Sequence, residues 1–263
     1  MTAVDWLIVL SVIMTALSVY LFAKYNRYRS LWKQRGSFMK WPVKQIPLDK
    51  VDRIFEINEF GPTIETEVDF IGRGHLLVPG GTSDTEAWVL SALSKKAKTI
   101  FEFGTCTGKT AYLMAKNSPE NAKVITLTLS PAQLAEYEKG SSDDNKSTND
   151  AISESAFTNF LYTGTSAEKK ITQVFGDSKH FDEKPYAGKM DLIFVDGSHA
   201  LSYVYSDSEK AFNMVSPGGL ILWHDYRGPY DTLDVFRGLN KLSKEKPLYH
   251  IEGTSLVMFR NPG

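Results

Sequence analysis

Two sets of residues have the types and spacing for chemistry. The first is the stretch Glu102-Phe-Gly-Thr-Cys-Thr-Gly108, which follows an apolar run and precedes Lys109-Thr110. Ile100 to Phe103 reads as a short buried strand and Lys109 to Lys116 as a helix. Gly104 and Gly108 bracket a tight turn between them, with Thr105 inside it. Strand, glycine turn and helix together make a nucleotide-binding unit: glycine lets backbone approach a ligand, and the helix start offers unpaired N–H groups. The dinucleotide pattern G-x-G-x-x-G fails, because position 106 is Cys and position 109 is Lys. A P-loop would need glycine at 103, where Phe stands, although Gly108-Lys109-Thr110 is a correct ending. That loop is one residue short of the usual nest of amides. The remaining pattern is acid-x-Gly-x-x-x-Gly, carried by Glu102, Gly104 and Gly108. The second set lies downstream, in Asp191-Leu-Ile-Phe-Val-Asp-Gly-Ser-His199 and Pro217-Gly-Gly-Leu-Ile-Leu-Trp-His-Asp-Tyr226. Both end an apolar strand on acids and histidines.

The elements that must position these residues alternate. Strands are expected at Lys123 to Leu129, Ile171 to Phe175, Met190 to Val195 and Leu220 to Trp223. Helices are expected from Pro131, over Ser202 to Val215, and over 231–244. Ser83-Asp-Thr-Glu86 is a capping box that starts a helix through about Lys96. Tyr249 to Ile251 and Ser255 to Phe259 form a closing hairpin through Glu252-Gly253-Thr254. This order predicts a Rossmann-like, doubly wound and mostly parallel sheet with an antiparallel hairpin at its edge. Ligands in such sheets bind beyond the carboxyl ends of the strands, and Glu102, Thr128, Asp177, Asp196 and Asp225 all fall there. Polar, low-complexity residues between Lys139 and Ser155 read as a disordered loop over the site.

With 263 residues there is room for one large domain and an appendage. A net charge of −1 gives no field that would recruit nucleic acid. Cys106 is the sole cysteine, so no intrachain disulfide forms and no cysteine cluster offers structural zinc. Trp6 to Ala23 is almost wholly apolar and, as a helix, roughly 27 Å long, enough for a thin bilayer. Asp5 precedes it; Lys24, Arg27, Arg29, Lys33, Arg35, Lys40 and Lys44 follow, with no acid before Asp49. The positive-inside rule places the N-terminus outside and the rest in the cytoplasm. A cleaved signal peptide fits less well, lacking a basic start and a small-x-small site. The expected division is an anchor at 1–24, a basic and aromatic juxtamembrane segment and linker at 25–62, and a catalytic domain at 63–263.

Acid-x-Gly-x-x-x-Gly resembles motif I of class I S-adenosylmethionine (SAM) methyltransferases. The pair Asp196-Gly-Ser-His199 and Pro217-Gly-Gly … His224-Asp-Tyr226 is similar to the members that include macrocin-type sugar O-methyltransferases. The likeness runs from about Val78 to Phe259. It implies SAM on Glu102, Gly104, Thr105, Gly108 and Thr128, with Asp177 at the adenine amino group. It further implies a divalent cation (magnesium, or manganese given a histidine ligand) on Asp196, His224 and Asp225, and His199 as base. Chemistry agrees in one respect: carboxylates converging at adjacent strand ends repel unless a cation or proton lies between them. Thr128 departs from the pattern, which ends its second strand in an acid for the ribose diol. The expected activity is methylation of a hydroxyl on a small molecule, sugar or lipid-linked acceptor, by a chain that can form homo-oligomers. A P-loop-like NTPase and a non-catalytic SAM-binding membrane protein are the alternatives.

Overall fold

The computed structural model describes residues 2–34, 41–71 and 81–263. Val78-Pro-Gly80 and the stretch 35–40, with Arg35 and Lys40, lie outside those residues. The chain divides into two compact units, Met1–Pro42 and Val43–Gly263.

The first unit is the helix α1 (Ala3–Gln34). Thr2 and Asp5 cap its start reciprocally: the Thr2 amide donates to Asp5 at 2.6 Å, and the Asp5 amide donates to the Thr2 hydroxyl at 3.3 Å. Val4–Arg27 has a mean hydropathy of 2.3 over its most apolar window, and that window is not covered by protein. A bare apolar surface of this length is a candidate membrane span. The helix does not stop near residue 24; it continues to Gln34, since no Gly or Pro interrupts the run.

The second unit begins at Val43, twenty residues ahead of the expected boundary at 63. The reason is β1 (Lys44–Ile46), which joins the main sheet, while Val51, Ile54 and Phe55 are buried in the core. Two further short strands, β2 (Ile57–Asn58) and β3 (Gly61–Pro62), make a separate hairpin. Then come α2 (Asp84–Ser94), β4 (Thr99–Phe103), α3 (Lys109–Asn117) and β5 (Lys123–Thr128). They are followed by α4 (Asn145–Glu154), β6 (Ile171–Phe175), β7 (Met190–Val195) and α5 (Leu201–Met214). The chain closes with β8 (Val215–Trp223), α6 (Leu233–Leu242), β9 (Tyr249–Ile251) and β10 (Val257–Arg260).

Eight strands form one sheet in the order β1-β9-β10-β8-β7-β4-β5-β6. From β8 to β6 all neighbours are parallel, and β10 runs antiparallel to both β8 and β9. This is the expected doubly wound sheet with its antiparallel hairpin, and β1 is added outside β9. Side chains alternate between faces, as strand geometry requires. Ile100, Phe194 and Leu222 share one core with Leu90 of α2 and Met114 of α3. Trp223 and Phe259 point the other way, onto Phe212 of α5. The strand order reverses between β4 and β7, whose ends Phe103 and Val195 are in register. Such a switch point opens a crevice at the carboxyl ends.

Three local readings change. Pro131–Glu136 is a 3₁₀ turn rather than a helix. Pro217-Gly-Gly219 does not precede β8 but lies within it, as an irregularity where pairing steps from Met190↔Val215 to Leu192↔Leu220. The polar stretch after Lys139 is not a disordered loop: α4 forms there, with the Asp144 side chain accepting from Ser147 N. Tertiary anchors outweigh its poor apolar content. Asp143 accepts from the Ser202 amide at 2.8 Å, and the Asp144 amide donates to Asp234 at 2.7 Å.

Candidate functional site

The glycine turn fits against the end of β7. Gly104 has φ +94, and a Cβ there would stand 2.0 Å from the Asp196 carbonyl oxygen. Glycine is thus demanded by the protein's own backbone as much as by any ligand. Gly108, the N-cap of α3 at φ +77, has the Tyr162 ring 2.8 Å from where its Cβ would be. Lys109, the would-be phosphate lysine of a P-loop, donates to the Thr82 carbonyl at 2.8 Å, away from the turn.

Glu102 is fully buried below the turn and does not reach a cavity wall. Thr126 donates to its Oε2 at 2.5 Å. Thr105 joins the same chain of bonds, with its hydroxyl 2.7 Å from that of Thr126 and accepting from Gln173 at 3.1 Å. Burial pushes the Glu102 carboxyl up to about 8, against the Thr126 hydrogen bond. These two residues fix the floor of the turn rather than lining the space above it.

Two cavities open beyond the strand ends. One is lined by Gly104, Cys106, Thr128, Asp177 and Asp196, with Tyr137 and Glu154 over it. Tyr137 and the α4 residues Ala151 and Glu154 narrow it from above. Thr128 lies at its wall with its carbonyl accepting from Gly176 N at 3.0 Å. Asp177 accepts from the Tyr203 hydroxyl at 2.6 Å and from Lys179 N at 2.8 Å. The second cavity, about 390 Å³, is lined by Lys146, Glu154, Asp196, His199, Asp225 and Arg227 among others. Its described lining holds no aromatic and no large aliphatic side chain. Asp196, Cys106 and Glu154 line both cavities and so mark their junction.

Charge is concentrated at that junction. His199 Nε2 is 2.7 Å from Asp225 Oδ2. His224 Nδ1 is 2.9 Å from Asp196 and 3.3 Å from Asp225, while its Nε2 is 3.3 Å from Glu86. Burial disfavours a charge on His224, but Asp196 and Asp225 overcome it and raise its pKa well above the usual value. Burial also opposes charge on His199, and Asp225, Glu154 and Asp196 lift it to about 9. Asp225 itself has φ +61, in the left-handed region. Thr232 donates to its carbonyl, and the Tyr226 amide donates to Ser255 at 3.0 Å; these bonds hold the strained strand end. Arg227 sits 2.7 Å from Asp225 at the cavity mouth.

Among the described residues, the donor atoms of Asp196, His199 and Asp225 lie within 4.8 Å of one another. The set expected from sequence was Asp196, His224 and Asp225. His199 rather than His224 completes that group, while His224 Nδ1 stands 2.9 Å from Asp196 and 3.3 Å from Asp225. Oxygen-rich donors with one imidazole suit magnesium or manganese, so the residues present fit a divalent cation.

Sequence reading missed Glu86, Glu154 and Arg227. Glu86 carried the capping box, and that box forms: Ser83 N donates to Glu86 at 2.9 Å. The same carboxylate also accepts from Ser255 N at 2.6 Å and from the Ser255 hydroxyl at 2.7 Å, tying α2 to the β9–β10 connection and to His224. Burial pushes its pKa up, but the His224 and Ser255 hydrogen bonds and the imidazolium charge more than reverse this. A carboxylate with a lowered folded pKa stabilises above its unfolded pKa and loses that contribution as pH falls. Glu86→Gln should therefore cost about 2–3 kcal/mol at pH 7. Thermal melts should show the gap between the variant and the natural chain narrowing below about pH 4; an unchanged gap at acid pH would contradict the charged role.

The strand order and the glycine turn at the switch point make a Rossmann-like methyltransferase fold. Residues 101–226 match a family model described as a methyltransferase domain. No curated protein sequence matches significantly. Similar solved structures include the O-methyltransferase TomG from Streptomyces achromogenes in complex with SAM (12% identity, 69% of this chain and 82% of that one, TM-score 0.46). Another is an O-methyltransferase from Bacillus cereus in complex with S-adenosylhomocysteine (SAH) (16% identity, 69% and 82%, TM-score 0.46). A third is the SAH-bound methyltransferase PaMTH1 from Podospora anserina (19% identity, 67% and 77%, TM-score 0.45).

Proposed function

We propose that the chain methylates a hydroxyl group of a small polar acceptor, using SAM and assisted by a divalent cation. The observation that carries this reading is the junction at Asp196, where the cavity at the glycine turn meets a second one whose described lining is rich in charged side chains. SAM supplies a methyl group on a sulfonium, which any hydroxyl oxygen can accept once its proton is removed. Gly104, Cys106, Thr128 and Asp177 are assigned to hold SAM, and Lys146 and Arg227 to orient the acceptor. A bound divalent cation lowers the pKa of a coordinated hydroxyl. Asp196 and Asp225 are assigned to hold it, and His199 is assigned as the base. A cation between these carboxylates would offset the negative charge that now keeps His199 protonated, freeing the imidazole to take the acceptor's proton.

Manganese titration of the full chain in detergent tests the division of roles. Asp196→Ala should lose metal binding and turnover together, whereas His199→Ala should keep metal binding and lose turnover. Loss of metal binding in His199→Ala would make that residue a ligand and contradict its assignment as base.

The N-terminal helix is assigned as a single-pass anchor with the catalytic unit on the cytoplasmic side, supported by its bare apolar surface and by the basic residues that follow it. It suits a membrane-associated or lipid-linked acceptor. Removing residues 2–42 should release the protein from the membrane pellet with its SAH affinity intact, because the second unit contains the whole sheet. Persistence in the pellet would contradict a single anchor.

A further inference from the structure

Asp207 lies two turns into α5 and is 1% exposed. None of the ion pairs among the described residues includes it; Ser178 hydrogen-bonds the carboxyl group, but its Oδ1 is buried with no hydrogen-bond partner. An unmet buried acceptor of this kind costs about 1–3 kcal/mol, so its persistence points to a donor that arrives with a ligand. The residue belongs to the wall of the nucleotide cavity, near Asp177 and Ser178 at the β6 exit. Its other oxygen lies 3.3 Å from where a Cβ on Gly197 would be, so the carboxyl stands directly behind the β7 exit. Phe103, Leu127 and Leu129 supply apolar surface to the same cavity, suitable for the faces of a base. Asp177, the residue expected to read the adenine amino group, already accepts from the Tyr203 hydroxyl and the Lys179 amide.

Resting on the SAM reading of this cavity, we propose that Asp207 recognises the exocyclic amine of adenine, with Asp177 serving to fix Tyr203 and the β6 exit loop. SAM carries donors at the ribose hydroxyls, the methionine ammonium and the base amine. The apolar surface and the β6 exit mark the base end, whereas the ammonium end belongs beside Gly104 and Asp196. A carboxylate accepts from the 6-amino group but faces an acceptor when that group is replaced by the 6-oxo group of hypoxanthine. Burial, which pushes the Asp207 carboxyl up to about 7, is also relieved by a donor at this point.

The test is calorimetric titration of the full chain in detergent with SAH and with S-inosylhomocysteine, its 6-oxo analogue. The natural chain should bind SAH at least about tenfold more tightly. Asp207→Asn, whose amide can turn either a donor or an acceptor to the base, should bring the two affinities within about threefold. Asp207→Ser serves the same purpose if the asparagine variant does not fold. Asp177→Asn should weaken both ligands equally. Equal affinities in the natural chain, or an unchanged ratio in the Asp207 variants, would overturn the assignment. Binding of neither nucleoside by the natural chain would overturn the SAM reading and this inference with it.

Discussion

Gly104→Ala should abolish SAH binding and lower stability by about 4 kcal/mol, the sum of a left-handed backbone and an overpacked contact. The physical cause is on the protein side. At φ +94 the new methyl would meet the Asp196 carbonyl at 2.0 Å, and both partners are backbone atoms at the ends of parallel neighbours. Relief requires β4 and β7 to separate, yet the Asp196 amide donates to the Phe103 carbonyl at 2.9 Å just there. The switch-point crevice closes or distorts in either case. Thermal melts and SAH titration check this together. A variant that melts like the natural chain and still binds SAH would show that the turn is not held as described.

The second large effect is expected at Asp196. Replacing it by alanine should lower turnover on the order of 10³-fold, since it removes a carboxyl that lines both cavities and is assigned to hold the cation. Stability should change far less. Asp196 pairs with His224, but His224 keeps Asp225 at 3.3 Å and Glu86 at 3.3 Å. One of several crowded carboxylates is also gone, which relieves repulsion. The SAH affinity of the variant should stay within about tenfold, because the base and ribose are assigned to the part of the cavity lined by Thr128, Asp177 and Leu129. Full turnover in Asp196→Ala would remove the basis for placing chemistry at the junction.

The sheet was legible because its signals are local. Apolar runs of four to six residues ending on Glu102, Thr128, Asp196 and Asp225 specify strands and the end at which ligands gather. Gly104 was legible as a residue needing room, and part of that room is taken by the Asp196 carbonyl. Other features depended on tertiary context. Lys44–Ile46 carries too short a pattern to announce a strand and becomes one by pairing with β9. The 139–155 stretch looks disordered by composition, but Asp143 and Asp144 fasten it to Ser202 and Asp234. The roles of the two histidines followed from neighbours that sequence separation hides. Glu86, 138 positions from His224, lies 3.3 Å from one of its nitrogens, and His199 rather than His224 joins Asp196 and Asp225 in the donor group. Glu102, expected at the cofactor, is buried in a hydroxyl network through Thr126 and Thr105 that sequence separation also hides.

Calorimetric titration of the full chain with SAH and, separately, with ATP tests the central claim most directly. The account predicts micromolar-range SAH binding at one site per chain, lost in Gly104→Ala, and no binding of ATP. Binding of ATP without binding of SAH would contradict it.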